Sequence, residues 1–322
     1  MSAIALLVES GATPSSVTTT LDLFRIAARM DTAGECRIDT FSSRGGGIAL
    51  SDALTLDTLP LPPRLDGYDA VILPGFFAAT PDELVARTET AWRPAIERLR
   101  MLDPATLLAA SCHGTFVLAE SGRLDGRAAT TSWWFETLFA ARYPNVRLNA
   151  AQALVDDGNL LTAGAMTAHT DLSLHVLRRL RGHALARHVA SIMLVDEGRT
   201  SQRPFISLPR RFGDPLVDAA VERMETQLQA AFSTAELADA LHVSYRTLHR
   251  RFRARTGMAP LGYLHALRME RAKESLERTG QSIERIAAAV GHGDVSSFRR
   301  LFVRQIGVTP SQYRRQFRRE WI

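Results

Sequence analysis

Apolar and polar positions are arranged in two different ways along this chain of 322 residues. Up to about residue 197, short unbroken apolar runs take turns with stretches of helical spacing. Ile4–Val8, Ala70–Pro74 and Thr106–Ser111 are too short for helices and too apolar for one-sided strands, so they predict buried strands. Cys36–Phe41 predicts another. Val17–Met30 places Leu21, Phe24 and Ala28 on one helical face. Asp82–Leu99, the stretch from Ser111 to Glu120 before Gly122, Asp171–Arg181 and Ala184–Glu197 predict further helices. Asp156-Asp157-Gly158-Asn159, between Ala153–Val155 and Leu160–Ala163, predicts a hairpin. Alternation of this kind predicts an α/β, flavodoxin-like domain over residues 1–197, mostly parallel, with helices on both faces.

Residues 198–215 break the pattern with Gly198, Pro204, Pro209, Gly213 and Pro215, and predict a linker. Residues 216–322 show helical patterning only, and this part repeats. At an offset of 50, Ala238 matches Ala288, Arg250 matches Arg300 and Phe252 matches Phe302. Gly257 matches Gly307, Pro260 matches Pro310 and Tyr263 matches Tyr313. Each copy has a short helix (Thr234–Leu241; Ile283–Val290), a tight turn (His242-Val243; Gly291-His292-Gly293) and a second helix (Tyr245–Thr256; Val295–Ile306). Ser244 and Asp294 are N-cap types, and Gly257 and Gly307 close the helices. The second domain is therefore expected to be all-α, with helix-turn-helix motifs at 234–256 and 283–306.

Charge changes what these motifs imply. Residues 1–198 hold 17 Lys and Arg against 22 Asp and Glu, whereas residues 199–322 hold 22 against 12. A basic helical domain calls for a polyanion. In the second helix of such a motif one face enters the DNA major groove. Leu248, Phe252, Phe298 and Phe302 are expected to face inward. Ser244, Tyr245, Arg246, His249, Arg250 and Arg253 in the first copy are left to meet double-stranded DNA. So are Val295, Ser296, Ser297, Arg299 and Arg300 in the second. Two cysteines, Cys36 and Cys112, exclude a disulfide framework or a zinc cluster of their own. The chain has no apolar run of membrane-spanning length and its start is a poor signal peptide, so a cytoplasmic protein is expected.

Ile286-Ala287, Gly291, Phe298-Arg299-Arg300, Phe302, Gly307-Val308-Thr309-Pro310 and Tyr313-Arg314 follow a family signature. On them, residues 216–322 resemble the AraC-type DNA-binding domain. The departure is His292, where that family usually has an aromatic. The resemblance implies two recognition helices in successive major grooves, about one helical turn apart.

Ala110-Ser111-Cys112-His113-Gly114 lies between a strand and a helix, which is where a nucleophile stands exposed above a sheet. A helix N-terminus there is expected to lower the Cys112 thiol pKa. The turn resembles the nucleophile elbow of the PfpI-like, class I glutamine-amidotransferase-like fold. Pro74-Gly75-Phe76 matches its facing loop, and Leu161-Thr162-Ala163-Gly164 with Asp171-Leu172-Ser173-Leu174-His175 matches its C-terminal part. The fusion resembles the GlxA-type subgroup of AraC regulators. Two departures oppose catalysis. Thr13 stands where the family has a glutamate, Glu9 being four residues earlier, and Ser132 stands before Trp133 where many relatives have a histidine. Cys112 and His113 alone are not a complete catalytic set.

The expected activity is therefore that of a sequence-specific transcription regulator, not an enzyme. A small-molecule effector is expected among Thr13, Gly75, Phe76, Phe77, Cys112, His113, Ser132 and Trp133, where open α/β sheets bind ligands. Aromatics with a few polar groups suit a small organic molecule or a cationic amine. A homodimer is expected, with no cofactor; Asp171 and His175, without a third ligand, do not make a metal site. The alternatives are a cysteine-dependent hydrolase or amidase, or a redox sensor, acting through Cys112.

Overall fold

Strand β1, Ser2–Leu7, is buried along its whole length. In the computed structural model, which describes residues 2–31, 36–196 and 198–318, this strand lies in the middle of an eight-stranded sheet. Along the chain follow α1 (Pro14–Met30), β2 (Cys36–Ser42), β3 (Gly46–Ser51), β4 (Leu54–Pro60), β5 (Ala70–Leu73), α2 (Pro81–Thr90) and α3 (Arg93–Met101). Then come β6 (Leu107–Ser111), α4 (Gly114–Glu120), β7 (Ala128–Ala129), α5 (Glu136–Arg142), β8 (Arg147–Leu148), β9 (Leu154–Asp157), β10 (Leu160–Ala163), α6 (Ala168–Arg181) and α7 (His183–Ile192). The sheet order is β3-β4-β2-β1-β5-β6-β10-β9. Pairing is parallel from β4 through to β10, and the edge strands β3 and β9 are antiparallel.

Period-two alternation divides the central strands between two cores. Ala5, Leu7, Val71, Leu73, Leu108 and Ala110 meet Leu84, Ile96, Phe116 and Phe139 on α2 to α5. Ile4, Leu6, Ala70, Ile72, Leu107 and Ala109 meet Phe24, Leu172 and Val189 on α1, α6 and α7. The flavodoxin-like α/β fold is thus as the pattern predicts.

Some expected elements differ. The helix over Asp82–Leu99 is two helices. Pro94 enters the first turn of α3, where its missing N–H costs nothing; mid-helix its ring would clash with a carbonyl. The helix expected over Ala184–Glu197 stops at Ile192, and Glu197 lies outside the described residues. The β3–β4 hairpin carries no clear pattern, because β4 is exposed or half-buried on both faces.

The chain divides between Gln202 and Arg203 into two units, within the segment 198–215. The second unit is helical: α8 (Pro215–Thr226), α9 (Thr234–Ala240), α10 (Tyr245–Thr256), α11 (Pro260–Arg278), α12 (Ile283–Ala289), α13 (Val295–Ile306) and α14 (Pro310–Phe317). It has two cores. Leu248 and Phe252 of α10 join Val217, Leu237, Leu264 and Leu267. Phe298 and Phe302 of α13 join Ile286, Met269, Leu276 and Tyr313. Helix α11 supplies residues to both and so joins the two helix-turn-helix motifs.

The repeat is not in one register. Val243 N donates to Ala238 O at 3.0 Å, and His292 N donates to Ala287 O at 2.9 Å. The counterpart of Ala238 is therefore Ala287, also fully buried, and not Ala288, which is exposed. The second turn holds one residue more, so the offset is 49 before it and 50 after. The turn needs a left-handed residue in each copy, His242 at φ 54° and Gly291 at φ 78°. At Gly291 a Cβ would also lie 2.6 Å from the Leu228 carbonyl oxygen.

Candidate functional site

Cys112 follows β6 and has φ 51°, a left-handed backbone uncommon for a residue with a side chain. Its N–H donates to Ala163 O at 2.9 Å, and Thr131 Oγ1 donates to its carbonyl at 2.9 Å. Gly114 lets the turn pass the facing loop, since a Cβ there would lie 2.6 Å from Pro74 O. Gly75 does the same beside the sulfur. A Cβ on it would lie 3.0 Å from Cys112 Cβ, 3.4 Å from Thr13 Oγ1 and 3.6 Å from Cys112 Sγ. The Ser132 hydroxyl is buried beside the thiol and has no conventional hydrogen-bond partner among the described residues. Thr13, Gly75, Cys112 and Ser132 therefore meet at one place.

The other expected ligand residues diverge. His113 Nδ1 donates to Phe76 O at 2.7 Å, and its Nε2 accepts from Trp134 Nε1 at 3.1 Å. Both ring nitrogens are occupied, the imidazole is neutral, and burial pushes its pKa down to about 4. Its ring lies among Phe76, Phe116, Trp134 and Phe135. The Phe76 ring packs on Trp92 in the core. Phe77 is 67% exposed. Trp133 is half-buried and packs edge-on against Trp134, their ring centres 5.4 Å apart.

The expected low thiol pKa is corrected. Burial pushes Cys112 up to about 12, outweighing the His113 amide and the Ser132 hydroxyl, which act in the other direction. The physical reason is desolvation of a thiolate inside the fold, two residues ahead of α4. Glu9 accepts from Ser43 N at 2.8 Å. Asp171 pairs with Arg199, and His175 pairs with Asp156.

Behind the turn is a buried polar chain that no sequence pattern marks. Ser111 Oγ donates to His169 Nδ1 at 2.7 Å, and His169 Nε2 donates to Thr20 Oγ1 at 2.6 Å, the Thr20 hydroxyl being given to Ser16 O. Arg87 bonds to Phe77 O at 2.6 Å and to Ser10 O, tying the loops on either side of Thr13 and Gly75.

In the second unit, Ser244 caps α10 through Thr247 N, and Asp294 caps α13 through Ser296 N and Ser297 N. Arg246, Arg250 and Arg253 lie exposed on α10, and no ion pair engages them among the described residues. Tyr245, 54% exposed, stacks on His249. On α13 the matching face is occupied. Arg299 pairs with Glu284 at 3.1 Å, and Arg300 bonds to Ser297 Oγ at 2.9 Å with Asp294 at 4.0 Å. Val295 is half-buried; Ser296 and Ser297 are exposed.

An α/β unit with a cysteine turn, followed by paired helix-turn-helix motifs, defines a two-part regulator architecture. Comparison with known proteins gives the same division. Residues 2–179 match the DJ-1/PfpI family, and residues 237–316 match a helix-turn-helix domain. The transcriptional regulator CdhR of Pseudomonas aeruginosa is 28% identical over 284 residues, 86% of this chain and 81% of that one. The regulator ArgR of the same organism is 32% identical over 243 residues, 74% of this chain and 72% of that one. Drosophila melanogaster DJ-1beta shares the fold of the first unit. Its TM-score is 0.51 at 22% identity, over 61% of this chain and all of that one. The chain belongs to the DJ-1/PfpI family, among the AraC-type helix-turn-helix transcriptional regulators that carry this domain.

Proposed function

We propose that this chain is a sequence-specific regulator that reads double-stranded DNA with α10 and α13. The first unit, in this reading, answers to a small molecule at the Cys112 turn and forms the dimer contact. The carrying observation is the row Arg246, Arg250 and Arg253 on α10, which no ion pair engages among the described residues, on a helix capped at Ser244 and fixed in the core by Leu248 and Phe252. Arginine forks of this kind pair with guanine edges.

His113, held between Phe76 O and Trp134, is not a base for Cys112, and no second base stands at Thr13 or Ser132. Cysteine hydrolysis lacks its proton acceptor, so the turn binds without reacting. We place the effector against Thr13, Gly75, Cys112 and Ser132, with the buried Ser132 hydroxyl as its polar anchor.

Fluorescence anisotropy of the full chain on DNA upstream of its own gene, against scrambled DNA of equal length, tests this reading. Preference for the former supports it. Equal affinity for these DNAs and for a pool of random sequences overturns it.

A further inference from the structure

We propose that Gln202 is a positioning residue that couples the Cys112 turn to the DNA-binding unit, an inference that rests on reading that turn as the effector site. Gln202 is the last residue of the first unit and only 4% exposed, although it lies within the connecting segment 198–215, which is rich in Gly and Pro. Its side-chain amide is inserted under the loop that carries Ser132. Nε2 donates to Thr131 O at 2.9 Å and to Ala150 O at 2.8 Å, and Oε1 accepts from Ala165 N at 2.8 Å. Its backbone N–H donates to Ala151 O at 2.8 Å. Gly164 leaves room for it, since a Cβ there would lie 2.1 Å from the amide carbon.

The same loop holds the turn. Thr131 donates to the Cys112 carbonyl, and Ser132 lies beside the thiol. One peptide bond beyond Gln202, Arg203 donates to Arg304 O at 2.9 Å on α13. Phe205 packs on Phe317 of α14, ring centres 5.3 Å apart, and Lys273 of α11 donates to Ile206 O at 2.9 Å. Within four residues the chain passes from the floor of the turn to the second helix-turn-helix. An occupant that shifts Thr131 and Ser132 must carry Gln202 with it or break a fully satisfied buried amide, which is costly. Coupling follows if the occupant favours one of those two arrangements.

Gly75→Ala serves as the wedge, because its Cβ presses on Cys112. The full-length wild type, Gly75→Ala, Gln202→Ala and the double variant are measured on a DNA sequence that the wild type selects from a random pool. Gly75→Ala is expected to change Kd at least threefold in the wild-type background and less than 1.5-fold in the Gln202→Ala background. Equal fold-changes in the two backgrounds, or no change in the first, overturn the proposal. Thr131→Val, nearly isosteric, is expected to silence the wedge as Gln202→Ala does. Hydrogen exchange guards against misfolding of these variants: Gly75→Ala alone should speed exchange at Ala151–Ala153 and Gln202. Unchanged exchange there overturns the coupling. Failure of the selection itself would instead strike the regulator reading.

Discussion

The Nδ1 atom of His113 lies 2.7 Å from the carbonyl oxygen of Phe76, and with Trp134 Nε1 on Nε2 both ring nitrogens are engaged away from the thiol of the preceding residue. Two neighbours that suggest a nucleophile and base in sequence are thus not hydrogen-bonded to each other. The thiol is left neutral, since burial pushes it up to about 12.

Thiol reactivity should reflect this. Both free cysteines, Cys36 and Cys112, are buried, and burial raises the pKa of both. With a disulfide reagent at pH 8 the native protein is expected to react far more slowly than the urea-unfolded protein, in which two thiols titrate. Rapid native labelling at Cys112 would restore the redox alternative.

Acid stability follows from the buried histidines. His113 and His169 are each pushed to about 4 by burial, below the ordinary value near 6.5. Between those values the unfolded chain binds more protons, so stability present above about pH 6.5 is lost as pH falls toward 4. The urea midpoint should drop over that window, and less steeply in His169→Gln. Parallel curves for the two proteins would refute the assignment.

On the proposed reading, α10 and α13 should contribute unequally to DNA binding. Arg250→Ala removes an arginine that no carboxylate holds among the described residues, and should cost about tenfold or more in affinity for selected DNA. Arg299→Ala should cost less, because Glu284 already engages Arg299, and Glu284→Ala should raise affinity. Binding titrations that rank Arg299→Ala above Arg250→Ala would contradict this.

Gly291→Ala tests the turn. The left-handed backbone alone costs at least about 1 kcal/mol, and the Leu228 carbonyl blocks the Cβ. Calorimetry should show the transition of the second unit lowered by about 4 °C or more. An unchanged transition would mean that the backbone there is not held as described.

Much of this was legible in residue order. Ala5, Leu7, Val71 and Leu73 alternate faces with Ile4, Leu6, Ala70 and Ile72, so the buried sheet is written as apolar runs. The paired caps Ser244 and Asp294, and closing glycines Gly257 and Gly307, mark α10 and α13 to the residue. Contacts made across long separations were not legible. Nothing near His113 announces that Trp134 will cap its ring, and nothing near Gln202 announces that Thr131 and Ala150 will bury it. The extra residue in the second turn was hidden too, because alanines at 287 and 288 fit either offset and only hydrogen bonding and burial separate them.

Selection from random DNA by the full-length chain tests the central claim most directly. The account predicts an enriched sequence with two conserved blocks about one helical turn apart. Its affinity should be at least about 1,000-fold above that for scrambled DNA and fall steeply with salt. No enrichment, with weak binding alike to every sequence, would contradict it.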